Sequence, residues 1–236
     1  MNSQNNNNLE SFNNIHDKQT CFIIGAGPSL YHQNLDCLKD NISICVNSGY
    51  LAYPECDYFL SDDWATQYWN YFFNDLVSNK KTKVLLYEDK LKNCAHLFDK
   101  RTILFKHRTG YELTTPYSHL ERINHIWESR TSVGSAVHVA YIMGCSKIIL
   151  LGIDCCRVDN KRYFWDFWDE DKRPFYKKHA RRRYRETQYK DRQTDDDLLE
   201  ILNYWNIIAK MCKNKIEIYN ASNISIVDAF PKIKLT

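Results

Sequence analysis

The chain has 236 residues, of which 44% are hydrophobic and 14% aromatic, so it is long and apolar enough to bury a sizeable core. Seven glycines and five prolines exclude a collagen-like or linker-dominated chain. The formal net charge is only +3, yet residues 172–192 hold ten Lys and Arg against Glu186 and Asp191. A basic segment on an otherwise acidic chain predicts a local site for an anion.

Cysteine usage and hydropathy bear on the compartment. The nine cysteines are an odd number without a CxxC pair, which indicates reduced thiols in the core. We expect a cytoplasmic protein, because no apolar stretch approaches the roughly 18 residues of a membrane span and the first residues lack a signal-peptide pattern. The Asn-rich start predicts a disordered tail over residues 1–18, followed by a single domain over residues 19–236. The sequence does not determine the oligomeric state and is compatible with a homo-oligomer.

Short apolar, β-rich runs alternate with helical patterns along the chain, which predicts an α/β fold with a mostly parallel sheet. The predicted strands are residues 20–24, 42–46, 57–60, 83–87, 102–105, 147–151 and 216–219. The predicted helices are residues 132–143, which Gly144 ends, and residues 195–212. Most strands run directly into small or polar residues, and in open α/β sheets ligands bind at that edge.

The first predicted strand ends in GAGPSL. Two glycines and a proline predict a tight turn into a helix, where backbone N–H groups and the helix dipole favour a phosphate. Gly25, Gly27, Pro28 and Ser29 are therefore candidate nucleotide-binding residues. A plain strand-to-helix turn is the alternative. The pattern lacks the full GxGxxG and GxxxxGK[ST] signatures, so a dinucleotide cofactor is not supported.

Polar side chains also follow the next two strands. Asn47 and Ser48 offer donors and acceptors for a ribose or a base edge, and Asp62 or Asp63 suits a catalytic role and a magnesium ion that bridges phosphates. Adjacent residues on an extended backbone point to opposite sides, so we expect only one of the two carboxylates to face the site. Loop caps are the alternative for both.

A second small-residue helix start lies at Thr131, Ser132 and Gly134. Its hydroxyl and amide hydrogens suit an anion, and an N-cap with close helix packing is the alternative. Asp154 follows the apolar strand at residues 147–151 and is a third acidic residue at a strand end. It is either part of the nucleotide site or a loop cap.

Residues 155–193 lack a regular pattern and are rich in aromatic and basic side chains, which predicts a lid insertion that closes over a bound nucleotide. His179 is a candidate general acid or base, and Arg182 is a candidate for stabilising charge in the transition state. A solvated basic face is the alternative. Nucleic-acid binding through residues 172–192 is another, although the acidic strand ends would repel a polyanion.

Several segments together resemble the family of MptE-like 6-hydroxymethylpterin pyrophosphokinases and, more distantly, the sialyltransferases of glycosyltransferase family 42. The resemblance rests on GAGPSL at 25–30, VNSGY at 46–50, SDD at 61–63, TSVGSAVHVAYIMGCSKIILLGID at 131–154 and IYNAS at 218–222. It implies a Rossmann-like, three-layer domain and a nucleotide-using transferase.

The two families imply different donors. In the pyrophosphokinases the donor is ATP with magnesium, and the position matching Asp62 or Asp63 lies by the phosphates. In the sialyltransferases the donor is a CMP sugar, beneath a lid that follows the position of Asp154. The positions that match its binding residues are Gly27, Ser29, Asn47, Thr131 and Ser132.

We therefore expect a nucleotide-dependent transferase that moves a phosphoryl or pyrophosphoryl group to a small acceptor. A glycosyltransferase that uses a CMP-linked or other nucleotide sugar is the second expectation. A non-catalytic nucleic-acid-binding protein is the third and is not favoured.

Overall fold

The computed structural model describes residues 8–108, 123–127, 130–176 and 195–235. The strands in these ranges are β1 (Thr20–Ile24), β2 (Ile42–Val46), β3 (Tyr58–Ser61), β4 (Lys83–Tyr87), β5 (Thr102–Phe105), β6 (His107–Arg108), β7 (Ile126–Trp127), β8 (Lys147–Leu151) and β9 (Glu217–Asn220). The α-helices are α1 (Glu88–Leu91), α2 (Ser132–Ile142) and α3 (Asp195–Cys212).

Seven strands form the central sheet in the order β5-β4-β3-β2-β1-β8-β9, and every neighbouring pair is parallel. The carboxyl ends of the strands therefore meet at one edge. The chain reverses its direction of travel across the sheet between β1 and β8, the kind of position where open α/β sheets bind ligands. Strands β6 and β7 form a separate two-stranded parallel sheet.

The sheet is buried on both faces, which explains why its strands are continuous apolar runs. Ile23, Ile44 and Leu60 pack on the face that α2 and α3 cover. Ile24 and Phe59 pack on the opposite face against the connecting segments. These layers confirm the predicted α/β three-layer fold with a mostly parallel sheet.

The bounds of the central strands were predicted from the sequence almost to the residue. The central strands β1, β2, β4, β5 and β8 have the predicted bounds, and β3 and β9 begin and end one residue later than predicted. Gly144 ends α2 as predicted, and its φ of +82° is a backbone conformation that favours glycine.

The predicted helix after the GAGPSL turn is wrong. The chain forms only a 3₁₀ turn at Pro28–His32, five residues long. Tight turns of this length do not align enough peptide dipoles to act as a helix terminus.

The start of the chain also differs from the prediction over residues 8–18. Leu9 and Phe12 are buried in the core, three residues apart on one 3₁₀ turn (Leu9–Phe12). Asn14 donates its backbone N–H to Ile142 O at 3.0 Å, and His16 donates to Met143 O at 2.8 Å. The tail prediction is therefore wrong for this segment, because two large apolar side chains outweigh the polar residues around them. Residues 1–7 lie outside the described residues.

Within the described residues, no helix combines the length and the apolar character that crossing a bilayer requires.

Candidate functional site

A cavity of about 300 Å³ opens at the carboxyl edge of the sheet, beside the position where the chain reverses direction. It is bounded by the segments that follow β1, β2, β3 and β8, by the first residues of α2 and by residues 162–165. Gly27 and Ser132, which come from two different bends, both line it.

Most residues singled out from the sequence meet here. Those that line the cavity are Gly25, Gly27, Pro28, Asn47, Ser48, Asp63, Thr131, Ser132 and Asp154. Ser29, Asp62 and Gly134 lie behind the lining. His179 and Arg182 lie outside the described residues, as does most of the basic segment at 172–192.

The GAGPSL turn uses its own N–H groups internally. Gly27 donates its N–H to Gly152 O at 2.8 Å, and Ser29 donates both its N–H and its hydroxyl to the carboxylate of Asp154, at 2.7 and 2.8 Å. A Cβ on Gly27 would lie 2.4 Å from Oδ2 of Asp154, so only glycine fits against this carboxylate. Asp154 is thus a buried cap of the turn, and these N–H groups are not available to a phosphate.

The start of α2 differs from that turn. Thr131 caps the helix by accepting a hydrogen bond from the N–H of Gly134 at 3.1 Å. Ser132 and Val133 line the cavity, and their N–H groups belong to the first helical turn, which has no intrahelical acceptor for them. The positive end of an 11-residue helix therefore faces the cavity, which favours an anion there.

Asp62 lies beneath the cavity and not within it. Ser132 donates its hydroxyl to Oδ1, Ser135 donates its hydroxyl to Oδ2 at 2.8 Å, and Nε2 of His107 lies 3.4 Å from Oδ2. Burial alone would raise the pKa of Asp62, but hydrogen bonds from His107, Ser132 and Ser135 outweigh it and lower the pKa. Asp62 is therefore an ionised carboxylate with both oxygens already engaged.

Asp63 is the half-buried carboxylate that faces the cavity. Its Oδ1 accepts a hydrogen bond from the N–H of Ala65 at 2.9 Å, which caps the short turn Trp64–Tyr68. Burial raises the pKa of Asp63, and the negative charge of Asp62 raises it further. A carboxyl with a raised pKa at the wall of a cavity is suited to general acid–base chemistry.

The predicted magnesium site finds no ligand set in this region. Among the described residues, no group of three His, Cys, Asp or Glu could hold a metal ion. Asp62 and Asp154 are occupied by internal donors, which leaves Asp63 as the cavity carboxylate with a free oxygen within the described part of the chain. These residues do not fit a protein-held magnesium ion.

One wall of the cavity is aromatic. Tyr163 and Trp165 stack with ring centres 4.7 Å apart, and Trp69 stacks on Tyr176 at 3.8 Å. The Nε1–H of Trp165 donates to the hydroxyl of Ser48 at 3.2 Å, which ties the aromatic wall to the end of β2. Three of the four rings belong to the predicted lid segment.

Sequence reasoning missed Trp69, Arg162 and His107 as individual contributors. Arg162 supplies a cationic side chain to the lining. His107 follows β5 after a single residue, so the rule that found Asn47 and Asp62 at strand ends would also have found it. Nothing in the sequence marked Trp69, because its segment has no regular periodicity.

Solved structures with a similar fold include two kinds of glycosyltransferase. A Maf glycosyltransferase from Magnetospirillum magneticum AMB-1 matches at 13% identity with a TM-score of 0.56, covering 95% of this chain and 37% of that one. The sialyltransferase CstII from Campylobacter jejuni, in complex with cytidine-5'-monophosphate, matches at 15% identity with a TM-score of 0.53, covering 93% and 86%. The chain thus spans little more than a third of the first of these proteins.

No curated protein sequence matches the chain. A family model does: the one described as 6-hydroxymethylpterin diphosphokinase MptE-like matches residues 1–160. That match takes in the segments after β1, β2, β3 and β8 and the whole of α2, which together form most of the cavity wall. The chain belongs to the MptE-like family.

Proposed function

We propose that the chain is a nucleotide-dependent transferase and that its donor nucleotide binds in the cavity at the carboxyl edge of the sheet. The observation that carries this proposal is the convergence of the α2 N-terminus, the polar pair Asn47 and Ser48, and an aromatic wall in a single cavity. Its volume of about 300 Å³ is at the small end of the range for ligand sites.

Each part of the cavity suits one part of a nucleotide. A phosphate is favoured at the N–H groups of Ser132 and Val133, because the helix dipole adds to two donors that have no acceptor within the helix. The guanidinium of Arg162 adds positive charge at the same cavity. Asn47 supplies an amide for the nucleoside, and the ring of Tyr163, which stacks on the buried Trp165, supplies flat apolar surface for a base.

Two reactions fit this site. Membership of the MptE-like family supports transfer of a phosphoryl or pyrophosphoryl group to a small acceptor. Glycosyl transfer from a nucleotide sugar is the second candidate, and a specific observation favours it: Asp63 alone offers the cavity a free carboxylate oxygen within the described residues, so general-base chemistry is better provided for than metal binding. A solved structure with this fold holds cytidine-5'-monophosphate, which agrees with the second candidate.

In both reactions the residues position the donor and neutralise charge, and neither requires a covalent protein nucleophile. The N–H groups of Ser132 and Val133 at the start of α2 would hold the phosphate of the leaving group. Asp63 would take the proton of the attacking hydroxyl of the acceptor.

A thermal-shift panel tests the proposal. ATP with magnesium should raise the Tm if the reaction is phosphoryl or pyrophosphoryl transfer, and CMP or UDP without metal should raise it if the reaction is glycosyl transfer. A ligand at 100 times its Kd stabilises the folded state by about 2.7 kcal/mol. If none of these nucleotides moves the Tm, the proposal is wrong.

A matched pair of variants locates the site. Asn47→Ala removes an amide from the cavity and should reduce the shift, whereas Asn93→Ala changes an exposed residue of the same type and should leave it unchanged. Equal shifts in both variants would place the nucleotide elsewhere.

A further inference from the structure

A chain of hydrogen bonds runs beneath the cavity and ends at Asp62. Its members, which we call the Asp62 relay, are Ser61, Thr66, Asn47, Ser132 and Asp62. Asn47 and Ser132 line the cavity, whereas Asp62 lies behind the lining. Thr66 lines the cavity as well, so the relay joins three side chains of the cavity wall to a buried charge.

The carboxylate sets the direction of the first bond. An ionised carboxylate can only accept, so the single hydroxyl proton of Ser132 must point to Oδ1 of Asp62. The hydroxyl oxygen of Ser132 can then act only as an acceptor toward every other partner.

The same direction continues through the other members. Nδ2 of Asn47 donates to the hydroxyl oxygen of Ser132 at 3.1 Å, and Oδ1 of Asn47 accepts the hydroxyl proton of Thr66 at 3.1 Å. Ser61 in turn donates its hydroxyl to Thr66 at 2.8 Å. Because each hydroxyl has one proton, fixing the bond at Asp62 fixes which way the Asn47 amide is turned.

Asn47 is held by its backbone as well. Its φ of +51° lies in the left-handed region, which asparagine tolerates better than most residues. With backbone and amide both fixed, the second N–H of Nδ2 has a defined direction.

His107 also lies against the carboxylate of Asp62. Its Nδ1 lies 3.0 Å from the backbone oxygen of Trp127, and since a carbonyl only accepts, Nδ1 carries a proton. Its Nε2 faces Oδ2 of Asp62 at 3.4 Å.

We propose that Asp62 is a positioning residue: it orients Asn47 and Ser132 so that the cavity presents an amide donor from Asn47 and an acceptor oxygen from Ser132. The inference rests on the proposed nucleotide site and adds to it. The ligand atom opposite Asn47 must be a hydrogen-bond acceptor, such as a carbonyl oxygen or an unprotonated ring nitrogen of the base.

The test compares Asp62→Asn with Ser135→Ala. The amide of the first variant can donate as well as accept, so the relay loses its fixed direction. The second variant removes a different hydrogen bond to the same carboxylate and leaves the relay intact. Titration calorimetry with CMP and with ATP should show affinity about tenfold weaker in Asp62→Asn, which is about 1.4 kcal/mol, and unchanged in Ser135→Ala. Equal losses in the two variants, or no loss in either, would overturn the inference and leave the proposed function standing.

A second readout does not need a ligand. The side-chain amide of Asn47, assigned by its disappearance in Asn47→Ala, should keep its ¹⁵N and proton shifts in Ser135→Ala and change them in Asp62→Asn. If the wild-type chain binds none of CMP, UDP and ATP, the proposed site is wrong. The NMR shifts of the Asn47 side-chain amide then decide whether Asp62 orients Asn47. If these shifts are unchanged in Asp62→Asn, the proposal that Asp62 is a positioning residue is wrong too.

Discussion

Asp62 and Asp63 are neighbours in sequence but have opposite surroundings. Asp62 is turned toward Ser132, Ser135 and His107, and these donors lower its pKa. Asp63 faces the cavity, where burial and the neighbouring charge raise its pKa. The sequence predicted that only one of the two would face the site. It could not identify which, because the donors to Asp62 come from residues 45 to 73 positions away.

Asp63→Asn should raise stability at neutral pH and reduce turnover. The pKa of Asp63 is higher in the folded chain than in the unfolded chain, so the folded state binds more protons between the two values and loses stability as the pH rises through that interval. Removing the charge should therefore raise the Tm at pH 7. The gain should vanish below about pH 4, where the unfolded carboxyl is also protonated.

Asparagine can still cap the turn at Ala65, so this variant keeps the local structure. Turnover should fall about 100-fold if Asp63 is the general base. Melting curves at pH 7 and pH 4 together with kcat provide the measurement, and Asp171→Asn, at an exposed position, is the control. A lower Tm at pH 7 would contradict the assignment.

At the scale of elements, the two predicted anion-binding bends turned out to be unequal. The GAGPSL turn leads into a 3₁₀ turn of only five residues that begins at Pro28, and Asp154, 125 positions from Ser29 along the chain, caps it. No local pattern reveals a cap from so far away. The bend before α2 was predictable, because its Thr-Ser start and its long apolar run are local features.

Thr131→Ala should weaken both the helix and the proposed anion site at its N-terminus. The variant loses the side-chain cap on the N–H of Gly134, which typically costs about 1 kcal/mol. We expect a loss of that size in urea unfolding and weaker binding of the nucleotide found by the thermal-shift panel. Thr131→Ser keeps a hydroxyl at the same place and should restore both quantities. Equal effects of the alanine and serine variants would show that the cap does not act through its hydroxyl.

At the scale of the whole molecule, the cavity lies at the carboxyl edge of the parallel sheet, whereas the first described residues of the chain pack near its amino edge. The strands were predictable because burial on both faces favours apolar residues at most positions. The start of the chain was not, because Leu9 and Phe12 are isolated among polar residues and periodicity needs a longer window. Their burial depends on β3 and β5, which only the folded chain brings to them.

Phe12→Ala should destabilise the protein without changing the cavity. Phe12 packs edge-on against Tyr58 at 5.5 Å, at the amino-terminal end of β3, whereas the cavity lies at the carboxyl ends of the strands. Truncating a buried phenylalanine typically costs about 3–5 kcal/mol, because a cavity replaces its contacts. Urea unfolding should show that loss, and nucleotide affinity measured below the Tm should equal that of the wild-type chain. Asn13→Ala, at an exposed neighbouring position, is the control, and an equally small loss in both variants would mean that this segment does not contribute to the core.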